Sequence, residues 1–481
     1  MIPFDDDKLH EECGIFGIFG HKDAAELVAL GLHALQHRGQ EAAGIVSFDG
    51  VRFNSERRLG LVGDNFSKES VISRLRGHAA IGHNRYSTAG DTVLRNVQPL
   101  FADLAGGGLA VAHNGNLTNA LTVRKQLVSR GAIFQSTSDT ETLVHLVATS
   151  REIRLVDRLI DCLRQVEGAY SLVVLSTKKM IGVRDPLGVR PLVLGKFDGC
   201  YVLASETCAL DIIGATFVRD IEAGEMVVIT EQGIESLFPF PRVAQRFCVF
   251  EYIYFARPDS QAEGKSVYQS RRRIGEELAR ESPVDADIVV PIPDSGTPAA
   301  IGYAAAAGIP FELGIIRNHY VGRTFIEPSH QIRQLGVKLK HNANRHSIEG
   351  KRVILVDDSI VRGTTSMKIV QMIRDAGATE VHMRIACPPT THSCFYGVDT
   401  PDRDKLLAAY RNVEQMRQII GADSLAFISI DGLYRAMEHA GRDAEHPQYC
   451  DACFTGNYPT RLTDQEEPAS ERQLSLLAEG I

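Results

Sequence analysis

From Cys13 to about Phe240 the chain runs in short apolar stretches separated by turn residues: "GIFGIF", "AGIVSF", "LAVAHNG", "YSLVVLS", "PLVLG", "YVLAS" and "EMVVIT". Such runs predict the strands of a β-rich layered domain. Between them, "DAAELVALGLHALQHRG" and "TSDTETLVHLVATS" place apolar residues at helical spacing, with Thr137, Ser138 and Asp139 as candidate capping residues of the second. Sheets packed with helices, an α+β arrangement, are expected here.

The pattern changes after "ESLFPFPRV", whose two close prolines mark a linker near residues 237–243. Beyond it, the continuous apolar runs "ADIVVPIPDSG", "IPFELGIIR", "KRVILVDDSIVRGTT" and "EVHMRIACPP" alternate with helical stretches such as "TPAAIGYAAAAG" and "SMKIVQMIRDAG". That alternation predicts an α/β domain around a parallel sheet buried on both faces. The expected division is a leader over 1–12, a first domain over 13–242, a second over 243–460 and a loosely held charged tail over 461–481.

Length agrees with two cores, since 481 residues exceed what a single core serves. A net charge of -8 gives no overall attraction for nucleic acid or an anionic membrane, so any polyanion must be gripped locally. No apolar run approaches the roughly 20 residues of a membrane span. The leader "MIPFDDDKLHEE" has neither the basic start nor the apolar core of a signal peptide, which leaves the cytoplasm as the expected compartment. Nine cysteines, an odd count over a long chain, argue for free, catalytic or metal-binding thiols rather than a disulfide framework.

The strongest local signal is "VILVDDSIVRGTTS". A buried strand ends in Asp357 and Asp358, and a loop with Arg362, Gly363, Thr364, Thr365 and Ser366 leads into a helix. Backbone N–H groups at such a helix start cradle an anion, and hydroxyls add donors. The two acids can hold ribose hydroxyls or a hydrated magnesium ion bridging to a pyrophosphate. No G-x-x-x-x-G-K-[ST] motif occurs, which argues against a nucleoside triphosphatase. The basic stretch "GRTFIEPSHQIRQLGVKLKHNANR" suits a lid over a polyanion, with Arg323, Arg333, Lys338 and Lys340 as phosphate contacts.

The "DDSIVRGTTS" run resembles the phosphoribosyl-pyrophosphate loop of type I phosphoribosyltransferases. The resemblance implies that "PIPDSGTPAA" lies at the pyrophosphate and places Ser295 near the metal, Mg2+, with Asp357 and Asp358. Displacing pyrophosphate from the anomeric carbon builds oxocarbenium character, so water must be excluded. No base-recognition element is evident, so the incoming amine is small, and ammonia is the smallest candidate.

In the first half, Cys13 stands upstream of "HRGQEAAGI", "GHNRYST", "AHNGNLTN" and "STSDTETL". Their order over about 130 residues resembles the N-terminal-nucleophile glutamine amidotransferases. The resemblance implies that Cys13 attacks the glutamine amide, that Asn114 and Gly115 stabilise the oxyanion, and that Arg85 and Asp139 hold the α-carboxylate and α-amino groups. Arg38 and Thr88 take second-tier positions. If the leader is cut after Glu12, the α-amine of Cys13, with a pKa of about 8, lies beside a thiol of about 8.5 and supplies a built-in base.

The "YCDACFTG" stretch carries Cys450-x-x-Cys453, a spacing that suits zinc or an iron-sulfur cluster, and Cys248 with Cys387 or Cys394 would complete four ligands. Cys162, Cys200 and Cys208 read as core residues.

The whole from about 13 to 460 resembles the glutamine phosphoribosylpyrophosphate amidotransferase family, in the branch with a cleaved leader and a [4Fe-4S] cluster. By that match Cys394 joins Cys248, Cys450 and Cys453. The family implies a pentosyltransferase with glutaminase activity that makes 5-phosphoribosylamine in the committed step of purine synthesis. It also implies inhibition by purine nucleotides and a homo-oligomer, often a tetramer. Hexosamine-phosphate or asparagine synthases would need other segments in place of "VILVDDSIVRGTTS", and a phosphoribosyl-pyrophosphate-binding regulator would need a basic DNA-binding module.

Overall fold

A computed structural model describes residues 10–11, 13–86, 93–104, 106–318 and 341–466. In the first half the strands are β1 (His10–Glu11), β2 (Gly14–Phe19), β3 (Ala42–Phe48), β4 (Phe53–Leu59), β5 (Ala79–Arg85), β6 (Leu100–Leu104) and β7 (Gly107–Leu117). There follow β8 (Gly168–Ser176), β9 (Met180–Arg184), β10 (Val193–Phe197), β11 (Cys200–Ala204), β12 (Thr216–Asp220), β13 (Met226–Thr230) and β14 (Gly233–Leu237). A seven-stranded sheet runs β12-β10-β11-β2-β5-β3-β4, and a six-stranded sheet runs β14-β13-β9-β8-β7-β6.

The unbroken apolar run of β2 has a simple cause. Ile15 and Phe19 join Ala110, Val173 and Leu203 in the core between the sheets, while Phe16 and Ile18 point the other way, into a core with helix α1 (Ala24–Ala34). A strand buried on both faces has no polar alternation to show. The second sheet is covered by α2 (Ala120–Ser129), α3 (Thr140–Thr149) and α4 (Leu155–Leu163), which share the core of Leu127, Leu143 and Leu159 with Leu172 and Val183. The result is an αββα sandwich.

The second half holds short strands β15 (Phe247–Cys248), β16 (Gln261–Ala262) and β17 (Lys265–Ser266), then β18 (Ile288–Pro291), β19 (Ile315–Arg317), β20 (His341–Ala343) and β21 (Arg352–Asp357). It ends with β22 (Glu380–Ile385), β23 (Val398–Asp399), β24 (Ser424–Phe427) and β25 (Tyr449–Cys450). Strands β18-β21-β22-β24 form a parallel sheet, flanked by α5 (Val267–Glu281), α6 (Thr297–Ala307) and α7 (Thr364–Asp375). The expected α/β unit is present. The run "IPFELGIIR" departs from expectation: Phe311 makes one bridge to Val289, and β19 pairs antiparallel with β20 outside the main sheet. Ile316 and Arg317 are exposed, so this strand lacks the two buried faces a central position demands.

Two further features concern the ends. His10 and Glu11 of the leader pair antiparallel with Asp399 and Val398. The expected loose tail instead begins docked: helix α8 (Thr463–Glu466) sits against α2, where Asp464 accepts from the Leu121 and Thr122 amides at 2.8 and 3.0 Å. Its carboxylate satisfies donors that a helix start leaves open. Among the described residues, no helix is long and apolar enough to cross a membrane.

The halves meet through buried charge. Arg38, fully buried, pairs with Glu206 of the first half and with Glu251 of the second, which also faces Arg190. Glu206 further accepts from the Arg257 amide and the Ser260 hydroxyl. Burial opposes its ionisation, but Arg38, His37 and Ser260 hold its pKa well below the ordinary carboxylate value.

Candidate active sites

Cys13 lies one position before Gly14, which is opposite Asn84 in the β2–β5 ladder, so the thiol stands at the strand end that carries Arg85. It is buried, takes a positive φ of 60° and lies 4.0 Å from the Tyr86 carbonyl. The facing sheet is tied to this end by His83, whose Nε2–H donates to the His113 carbonyl at 3.1 Å. Burial, with Arg85 next, pushes the His83 pKa down to about 3, so its ring is neutral.

That bond brings Asn114 and Gly115 of β7 to the same end of the sandwich. Asn114 is fully buried, and neither its amide oxygen nor its nitrogen has a hydrogen-bond partner among the described residues. A buried orphan amide is costly unless something binds it. Gly115 has φ 138°, and a Cβ there would stand 2.1 Å from the Ala169 carbonyl oxygen, so only glycine keeps this strand in place.

Arg85 donates to the Asn96 carbonyl at 3.2 Å, and Asn96 exchanges bonds of 2.9 Å with Thr137. This draws the 136–139 loop to Arg85. The loop itself is held by Glu141, which accepts from the Gln135 and Ser136 amides at 2.7 Å. Asp139 opens α3 as expected but makes no side-chain cap. Its carboxylate turns inward, accepting from the Leu117 amide at 3.1 Å and lying 3.6 Å from His113 Nδ1. Burial favours its neutral form, yet His113 and the Leu117 and Thr140 amides hold its pKa below the ordinary value. Arg38 lies in the joint described above, and Thr88 falls outside the described residues. His83, His113 and Glu141 add to the residues expected from sequence, and their signal is their place inside "GHNRYST", "AHNGNLTN" and "STSDTETL".

In the second half, Asp357 ends β21 and Asp358 follows, both buried. The Asp358 amide donates to Asp357 Oδ1 at 3.0 Å, and Ser359 donates to Asp358 at 2.7 Å. Arg362 follows three residues on, and Gly363 turns the chain with φ 82° into α7, where Thr364, Thr365 and Ser366 form the first turn. A Cβ on Gly363 would meet Leu407 at 2.7 Å. The neighbouring loop after β18 places Ser295 before α6, with Asp294 paired to Arg317. Arg323, Arg333, Lys338 and Lys340 fall outside the described residues.

The third feature is a set of thiols. Cys248 and Cys450 are opposite each other in the parallel β15–β25 pair, and with Cys394 and Cys453 they line one small cavity together with Phe250 and Tyr396. Burial pushes the Cys248 thiol up to about 12 and raises those of Cys450 and Cys453 well above the ordinary value, with neighbouring thiols adding to the effect. Among the described residues, no three His, Cys, Asp or Glu side chains stand grouped for a metal ion. Cys387 is buried apart from this cavity's lining, nearer Asp357 and Asp358. Cys162 and Cys208 are core residues, whereas Cys200 is half-exposed.

Comparison with known proteins agrees with both halves. A glutamine amidotransferase domain model matches residues 83–211, and a phosphoribosyl transferase domain model matches residues 263–402. The amidophosphoribosyltransferase of Rhizobium etli is 61% identical over 99% of this chain and 97% of its own length. The chloroplastic enzyme of Vigna aconitifolia is 52% identical over 97% of this chain and 95% of its own. Among solved structures, the glutamine phosphoribosylpyrophosphate amidotransferase of B. subtilis, complexed with ADP and GMP, superposes with a TM-score of 0.89 at 48% identity, covering 94% of this chain and 98% of that one. The chain belongs to the amidophosphoribosyltransferase family, with a glutamine amidotransferase half joined to a phosphoribosyltransferase half.

Proposed function

We propose that this amidophosphoribosyltransferase divides its reaction between the two sites, with Cys13 releasing ammonia from glutamine and the Asp357–Ser366 loop receiving phosphoribosyl pyrophosphate. The overall product is 5-phosphoribosylamine, formed in the committed step of purine synthesis. Removal of residues 1–12 exposes the Cys13 amine, which takes the thiol proton as the sulfur attacks the glutamine amide carbon. The C–N bond breaks, the leaving nitrogen takes the proton and departs as ammonia, and water hydrolyses the thioester to glutamate. The side chain of Asn114 and the amide of Gly115 receive the oxyanion, while Arg85 and Asp139 grip the two ends of the amino acid. The observation that carries this reading is the buried side-chain amide of Asn114, without a partner among the described residues, at the end of the sandwich that holds Cys13.

In the second site, backbone amides of the Gly363 turn and the hydroxyls of Thr364, Thr365 and Ser366 bind the 5-phosphate. Asp357 and Asp358 orient the ribose. Two carboxylates with a hydroxyl nearby suit a hard cation that completes its shell from substrate phosphates. Asp357, Asp358 and Ser295 would hold Mg2+, which neutralises the pyrophosphate leaving group when bound. The basic character of the 322–345 stretch supports Arg333 and Lys338, with Arg323 and Lys340, as contacts to the pyrophosphate.

Cys248, Cys394, Cys450 and Cys453 would hold a [4Fe-4S] cluster as a structural element. That the four thiols line one cavity supports this reading, since such clusters are held by four cysteine thiolates. Iron and sulfide analysis with a broad visible absorption supports it; zinc without that absorption overturns it. The ADP and GMP of the B. subtilis relative support inhibition by purine nucleotides here. We also place the enzyme in the cytoplasm as a homo-oligomer, a tetramer.

Pyrophosphate release with glutamine and with ammonia tests the division. Cys13→Ala is expected to lose the first and keep the second. Retention of glutamine-dependent release would overturn it.

A further inference from the structure

The oxyanion strand is gripped from the other half of the molecule. Directly after Asn114 and Gly115, Asn116 Nδ2 donates to the carbonyl oxygen of Phe395 at 3.0 Å, a contact spanning 279 residues of sequence. Phe395 follows Cys394, and the same short loop is fixed on both sides: the Cys394 amide donates to Thr400 Oγ1, and Tyr458 Oη donates to the Ser393 carbonyl at 2.6 Å. A second grip lies two residues further along β7 and its continuation. The Asp464 amide donates to the Thr118 carbonyl at 3.0 Å, and the Asp464 carboxylate caps α2. Thr463 adds a bond of 2.6 Å to Glu167, beside β8.

These contacts fall on one stretch of backbone. Residues 114–117 pair with Ser171, Tyr170, Ala169 and Gly168 of β8, and the half-buried Asn116 side chain reaches from this ladder to the second half. The ladder sets the backbone of this stretch, and the Asn116 side chain adds the contact by which the second half bears on it, directly beside the Gly115 amide. An oxyanion donor misplaced by a fraction of an ångström loses most of its value, because the bond must meet the tetrahedral oxygen rather than the planar one.

We propose that Asn116 is a positioning residue for the glutaminase reaction, setting the Asn114–Gly115 donors through its bond to Phe395. The proposal rests on the reading of Asn114 and Gly115 as the oxyanion site. It also makes the glutaminase answerable to the geometry of the 393–398 loop in the other half.

Asn116→Leu keeps the side-chain volume and removes the donor. With glutamine, kcat is expected to fall about tenfold while the glutamine KM stays within about twofold, since Arg85 and Asp139 are untouched. With ammonia as nitrogen donor, phosphoribosylamine synthesis is expected to stay at the parent level, and the Tm within a few degrees. A glutamine kcat within about twofold of the parent overturns the proposal. So does an equal fall of both activities, the mark of general unfolding. Asn116→Gln, which retains a donor, is the second variant, and a glutamine kcat closer to the parent than that of the leucine variant is expected. Asn114→Ala separates the underlying reading: if it keeps glutamine activity, the oxyanion assignment is wrong, whereas its failure beside a fully active Asn116→Leu condemns the Asn116 proposal alone.

Discussion

Asp357 and Asp358 reach their site as neighbours at the end of one strand, while Cys13, Arg85, Asn114 and Asp139 come from four separate segments, at strand ends of two facing sheets and at the start of α3. The first kind of site is carried by local rules: a parallel strand ends, a glycine turns the chain, and a helix begins with exposed N–H groups. The second kind depends on packing between layers, and here on the cross-sheet bond from His83 to the His113 carbonyl. A dispersed site can be disturbed from a distance.

The largest expected effect tests the independence of the sites. Cys13→Ala should lower glutamine-dependent synthesis by at least about 10³-fold while ammonia-dependent synthesis survives, measured by pyrophosphate release with each nitrogen donor. Next, Asp357→Asn should lower both activities together, by roughly 10²-fold, because either nitrogen source needs the phosphoribosyl site. Unequal losses with the two donors would break the comparison.

Gly115→Ala sharpens it. The added methyl would meet the Ala169 carbonyl at a positive φ, so a cost of about 1–3 kcal/mol is expected in thermal unfolding, together with selective loss of glutaminase. The smallest effect concerns Glu141, which fastens the loop leading to Asp139. Burial works against its charge, but His145, Ser136 and the Gln135 amide lower its pKa from 4.5 to about 2. A carboxylate depressed in the folded state adds stability that is complete above its unfolded value and fades as pH falls through the folded one. Glu141→Gln should therefore lower stability by about 1 kcal/mol at neutral pH and lose part of that deficit between pH 4.5 and 2, read from urea unfolding at several pH values.

Much of this architecture is legible along the chain. The run "GIFGIF" announces a strand buried on both faces, and the acids of "VILVDDSIVRGTTS" stand where a parallel strand ends before a glycine turn and a helix. What stays hidden is pairing over long separations. Nothing near Arg38 foretells Glu251, 213 residues away, and nothing near Asn116 foretells Phe395. The same holds for the leader strand on Val398–Asp399 and for Asp464 on α2: each is a polar or charged segment that a local reading leaves in solvent, and each finds its partner only in the folded whole. The run "IPFELGIIR" errs in the other direction, since apolar composition without two covered faces does not earn a central place in a sheet.

The free amine of Cys13 is the point on which the glutaminase account turns, because an internal peptide nitrogen is no base. Intact-mass measurement of the purified, glutamine-active enzyme tests it directly. The expected mass is that of the chain beginning at Cys13, short by the first twelve residues. A full-length chain with undiminished glutamine-dependent activity would contradict it.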